Sequence, residues 1–112
     1  MNGEDLRTLI DSIPSASHLT SDNNDYLVSY RFDTGAEVAF DPRTKNKCSL
    51  FIEKLPERMK DRFPHIETYP PTNPSTALRR VSSQLSSAAQ VYKVDLPNMD
   101  IARELLNWVR WA

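Results

Sequence analysis

The sequence predicts an α+β domain: a three- to four-stranded, mostly antiparallel sheet that opens as a β-meander, with helices packed on one face. Three observations lead there. Two alternating runs flank the Gly-containing turn Asp33-Thr34-Gly35, the pattern of a β-hairpin. Apolar residues at helical spacing occur near both chain ends. The strand runs also alternate apolar with polar residues, as expected for a sheet with one buried and one solvated face.

The elements follow in the order α-β-β-β-α-α-β-α. DLRTLIDSI sets Leu6, Leu9, Ile10 and Ile13 at i, i+3, i+4 and i+7, one apolar helix face. Asn2 is a natural N-cap, Glu4 and Asp5 suit the positive end, and Pro14 stops the helix. Pro14 to Asp25 reads as a polar loop. YLVSYRF puts Val28, Tyr30 and Phe32 on one face and Leu27, Ser29 and Arg31 on the other; AEVAF continues the hairpin through Ala36, Val38 and Phe40. After the basic turn DPRTKNK, CSLFIE is a third strand with Cys48, Leu50 and Ile52 facing together. Pro56 starts a short helix, PERMKDRF, with Met59 and Phe63 inward.

A connector containing Pro64, Pro70, Pro71 and Pro74 then reads as extended or turning. The next helix begins near Thr76, with Asn73 or Ser75 as cap and Leu78, Val81, Leu85 and Ala88 as its buried stripe. VYKVDL is the fourth strand, with Tyr92, Val94 and Leu96 on its apolar face. Pro97 and Asn98 open the last helix, whose stripe is Ile101, Leu105, Trp108, Val109 and Ala112. No internal repeat is visible.

A chain of 112 residues, 39% hydrophobic and 26% charged, suits one globular domain over residues 1–112, either whole or a module of a larger protein. The lone Cys48 cannot form an internal disulfide, and the acids Glu4, Asp5 and Asp11 do not fit a cationic, apolar secretory leader. No apolar run is long enough to cross a bilayer, so the expectation is a cytoplasmic protein with no membrane partner.

The net charge of −1 is unevenly distributed. Residues 1–42 hold two arginines against eight acids, a net −6, whereas residues 43–62 hold seven Lys or Arg against three acids, a net +4. A whole-protein field attractive to nucleic acid is absent, but a local basic patch is available.

Several chemistries are disfavoured. Gly3 and Gly35 are the only glycines, too few for a phosphate-cradling loop. His18 and His65 lack metal-ligand spacing to each other or to Cys48, so no metal site and no cofactor are expected. Glu37, Asp41 and Glu53 on neighbouring strands resemble a nuclease site in outline. Glu53 and Lys54, however, are adjacent, and strand alternation points them to opposite faces. The chain is therefore read as non-enzymatic.

LRRVSS, Leu78 to Ser83, imitates a kinase site. On the expected helix Leu78 and Val81 turn Ser82 toward the buried stripe, where a phosphate would be costly. Its arginines survive as surface groups, with Arg79, Ser83 and Ser86 on one flank and Arg80 nearly opposite the stripe.

The leading expectation is thus a non-catalytic nucleic-acid-binding, DNA-recognising domain. It would use the basic turn Arg43, Lys45 and Lys47, then Arg58 and Lys60, with Arg79, Arg80, Ser83, Ser86 and Lys93 as further contacts. The alternative is a protein-interaction module or small inhibitor docking through Tyr69, on the stiff Pro-rich connector, and Trp111, which falls off the last helix's core stripe.

Overall fold

In a computed structural model, the structure describes residues 2–19, 27–69 and 91–111. The expected helix from Thr76, with Arg79, Arg80, Ser83 and Ser86, lies outside the described residues.

The described residues form a mixed fold on a six-stranded antiparallel sheet. Helix α1 (Gly3–Asp11) is followed by β1 (Ala16–His18), β2 (Val28–Phe32), β3 (Glu37–Phe40) and β4 (Ser49–Ile52). A 3-10 helix (Glu57–Arg62), β5 (Ile66–Tyr69), β6 (Val91–Asp95) and helix α2 (Met99–Trp111) complete the order. The spatial order is β1-β2-β3-β4-β6-β5, so the expected meander stands as β2-β3-β4 and β6 inserts between β4 and β5.

The strand number and element order correct the sequence reading. β1 lies inside the expected polar loop. Its three residues carry no apolar alternation, and backbone pairing with β2 in the register Ala16 to Phe32 holds it on the sheet edge. β5 lies inside the expected Pro-rich connector, pairing Ile66 with Val94 and Tyr69 with Val91. The proline at 64 precedes the strand, and an edge strand tolerates prolines beside it because only one of its sides joins the ladder. ERMKDR forms a 3-10 rather than an α-helix, with Pro56 as its extended N-cap and not its first residue. The helix is too short for one amphipathic face, although Met59 and Phe63 point inward as expected.

Both helices are closed by local chemistry. The Asn2 side chain accepts a hydrogen bond from the Asp5 N–H at 2.9 Å, while the Asp5 carboxylate accepts from the Asn2 N–H at 3.0 Å. At α2, the Asn98 side chain accepts from the Ile101 N–H at 2.9 Å. The β2–β3 turn places Gly35 at φ 95°, a conformation that favours glycine.

Both helices and the 3-10 helix cover one face of the sheet. Leu6, Leu9 and Ile10 of α1 and Ile101, Ala102, Leu105, Leu106 and Val109 of α2 join one core with Val28, Tyr30, Phe32, Val38, Phe40, Leu50, Ile52 and Val94. The opposite face departs from expectation. Ser29 and Ala39 are fully buried, Phe51 and Glu37 nearly so, and the centre of that face is therefore not solvated.

Candidate functional site

The seven cations of residues 43–62 are clustered in sequence, and the topology divides them. Arg43, Lys45 and Lys47 occupy the turn that leads into β4, whereas Lys54 lies beyond its far end. Arg58, Lys60 and Arg62 ride on the 3-10 helix.

Several are also paired. The Arg43 guanidinium donates to both Asp41 carboxylate oxygens at 3.1 and 3.0 Å, and its backbone N–H adds a third bond at 2.8 Å. Burial raises the Asp41 pKa, but the hydrogen bonds and charge of Arg43, helped by Lys93, outweigh it and hold the carboxyl below its usual range. Lys60 bonds Glu57 at 2.9 Å and is held above the ordinary lysine value by that bond. Arg62 pairs with Glu104 of α2. Lys45 and Lys47 remain exposed cations.

Lys93 is half-buried on the sheet face opposite the helices. It sits in register with Phe51 and Glu67, its ammonium 5.8 Å above the Phe51 ring. It belongs to neither the basic turn nor the 3-10 helix.

The acidic candidates are drawn into different roles. Glu37, 5% exposed, accepts from Arg31 Nη2 at 2.8 Å, and the two residues face each other across β2 and β3. Strand alternation does not extend to Glu53 and Lys54. β4 ends at Ile52, and both residues line one open cavity of about 250 Å³ with Glu37. Among the described residues, no three His, Cys, Asp or Glu side chains stand close enough to hold a metal. Cys48 is fully buried, and burial pushes its thiol up to about 12. Tyr30 is similarly raised to about 12, first by burial and then by donating to the Asp11 carboxylate at 2.7 Å. The His18 ring meets Tyr30 edge-on at 5.2 Å.

Of the two expected aromatic anchors, Tyr69 has its backbone in β5. Trp111 is 66% exposed, the only large hydrophobic side chain so exposed among the described residues. Its fall outside the core stripe agrees with the helical spacing, since Ile101, Leu105 and Val109 are buried and Trp108 packs half-buried against the core. Trp111 and Trp108 border an open depression of about 430 Å³ with Arg58, Glu104 and Asn107.

The support for Trp111 was not visible in the sequence. Arg110 lays its guanidinium over the indole, 4.4 Å from the ring centre. Asp33, in the β2–β3 turn, grips that guanidinium through two bonds of 3.0 and 2.8 Å. The adjacent Thr34 hydroxyl donates to the Arg110 carbonyl oxygen. The Arg110 hydrogen bond holds the Asp33 carboxyl below its ordinary range. Asp33 and Arg110 lie 77 positions apart, so no spacing rule links them.

No protein-family model matches this chain, and neither a curated protein nor a solved structure is significantly similar to it. Among the described residues, no helix is long and apolar enough to cross a membrane.

Proposed function

We propose that this chain is a protein-interaction module that docks through the Trp111 end of α2. One observation carries the reading: an exposed indole is held in place by a stacked and ion-paired arginine beside an open depression. Tryptophan and arginine are the residues most enriched among interface anchors. An anchor already fixed before binding loses less conformational entropy when it docks. Arg58, Glu104, Asn107 and Trp108 would form the rim, adding polar contacts of both charge signs around an apolar centre.

The test is capture of partners on the immobilised chain at low and high salt, with variants in parallel. A salt-tolerant complex that is lost in Trp111→Ala and kept in Arg43→Ala/Lys45→Ala/Lys47→Ala supports the reading. Equal capture by wild type and Trp111→Ala removes the anchor.

Nucleic-acid binding is a second reading, favoured by the exposed Lys45 and Lys47 on an outward turn. It expects salt-sensitive binding of a labelled oligonucleotide that weakens in the same triple variant. The dispersal of the remaining cations and the pairing of Arg43, Lys60 and Arg62 place it behind the first.

A further inference from the structure

We propose that the cleft between the C-terminal end of α1 and the outer flank of α2 binds a small organic acid, a carboxylate with a short apolar tail. The cleft holds about 270 Å³ and is separate from the Trp111 depression, with which it shares Asn107 alone among the described residues. Its floor is Leu9, Ile13, Phe32 and Leu106, of which Leu9, Phe32 and Leu106 are already buried by the core. The remaining walls are Ser12, Arg103, Asn107 and Arg110.

The polar walls select the charge of the guest. Among the described residues, two arginines line the cleft and no carboxylate does. The Arg110 guanidinium is engaged by Asp33 through Nε and Nη2. Arg103 is 62% exposed and held only loosely, 3.7 Å from an Asp100 that is itself 94% exposed. Asn107 is exposed beside it and supplies an amide donor. The Ser12 hydroxyl already donates to the Leu9 carbonyl oxygen at 2.6 Å, so it offers no competing donor. Arginine is the side chain best shaped for a carboxylate, through two parallel N–H···O bonds.

Orientation and size follow. The last carbonyls of α1 carry the negative end of the helix dipole and disfavour an anion on that side. The carboxylate therefore sits against α2, at Arg103 and Asn107, with its tail over Leu9 and Ile13. The cleft is smaller than the pockets of about 300–1,000 Å³ that hold drug-sized ligands, so the tail is a short chain or a single ring.

The experiment is a methyl-detected NMR titration of the full chain with octanoate, repeated with octanol and octylammonium. Saturable shifts confined to the Leu9, Ile13 and Leu106 methyls are expected with octanoate, with octanol bound about tenfold more weakly for lack of the charged contact. Arg103→Gln, at an exposed position that should fold normally, is expected to weaken octanoate about tenfold and leave octanol unchanged. No methyl shift at millimolar octanoate overturns the proposal. So does equal binding of octanol or octylammonium, or an Arg103→Gln chain that binds octanoate as wild type does. None of these readouts involves Trp111, so failure here leaves the docking proposal standing, and the reverse holds.

Discussion

Replacing Gly3 by alanine should destabilise this protein, although the same exchange inside a helix ordinarily stabilises it by roughly 0.5–1 kcal/mol. The reason is space, not backbone conformation. A Cβ on Gly3 would stand 2.4 Å from the Asp41 carbonyl oxygen and 2.6 and 2.7 Å from the carbonyl carbon and Cα of Pro42. An ordinary carbon–oxygen contact is about 3.3–3.6 Å, so the overlap approaches 1 Å and falls entirely on backbone that cannot rotate away. The start of α1 and the β3–β4 turn must part, stretching the 3.0 Å bond from the Gly3 N–H to the Thr44 carbonyl. Overpacking of this kind costs about 1–3 kcal/mol; taking about 2, the melting temperature should fall by about 8 °C. Thermal melts and urea titrations of Gly3→Ala measure this, and hydrogen exchange should quicken at residues 43–47. A Gly3→Ala chain as stable as wild type would refute the close approach. Gly35→Ala is the contrasting control: nothing crowds its Cβ, and any loss there comes from its φ of 95°.

Other outcomes test separate parts of the structure. Cys48 and Tyr30 are both neutral in the fold, their pKa values raised from 9.0 and 10.0 to about 12. The stability they contribute is fully present below the ordinary values and is lost as pH climbs from there through the raised ones. The urea midpoint should hold to about pH 9 and then fall, with part of the fall removed by Tyr30→Phe; a level midpoint to about pH 11 contradicts this. Arg31→Ala should cost about 1–3 kcal/mol in urea titrations, more than an exposed arginine normally does, because it strips a partner from the nearly buried Glu37. Asn2→Ala should cost about 1 kcal/mol and fray the first turn of α1, read as faster amide exchange at Asp5.

The parts of the fold legible in sequence were those where side-chain pattern and backbone agree. Tyr30 and Phe32 alternate, Asp33-Thr34-Gly35 turns, and Val38 and Phe40 alternate again, so the central hairpin could be read directly. β1 and β5 gave no such signal. Ala16-Ser17-His18 is held by backbone bonds to β2, and Ile66-Glu67-Thr68-Tyr69 sets two polar residues side by side next to prolines, so neither run carries the period of a strand. The polar second face misled for a related reason: alternation marks which residues share a face but not whether that face meets water, and Ser29 and Glu37 are both buried. The exposed Trp111 followed from helical spacing alone, because Ile101, Leu105 and Val109 fix the inward direction of α2. The basic stretch is interrupted in the fold, since the four-residue β4 stands between Lys47 and Lys54.

What the sequence could not reveal is the contact that supports Trp111. Asp33 and Thr34 reach from the hairpin turn to the last turn of α2, fixing Arg110 by its guanidinium and its carbonyl oxygen. The same arginine stacks on the indole and lines the cleft on the other flank of the helix. Asp33→Ala should therefore loosen Trp111 without touching it. In a Trp108→Phe background, where Trp111 is the only indole, acrylamide quenching should rise and fluorescence anisotropy fall. Asp33 has a depressed pKa, so its part of the clamp is present above the ordinary aspartate range and is lost as pH falls through the lowered value. Acidification should therefore mimic Asp33→Ala in the Trp108→Phe chain and add nothing to the Asp33→Ala chain. Unchanged quenching in Asp33→Ala would mean that the stacked Arg110 holds the indole unaided, and that the hairpin turn braces the helix end alone.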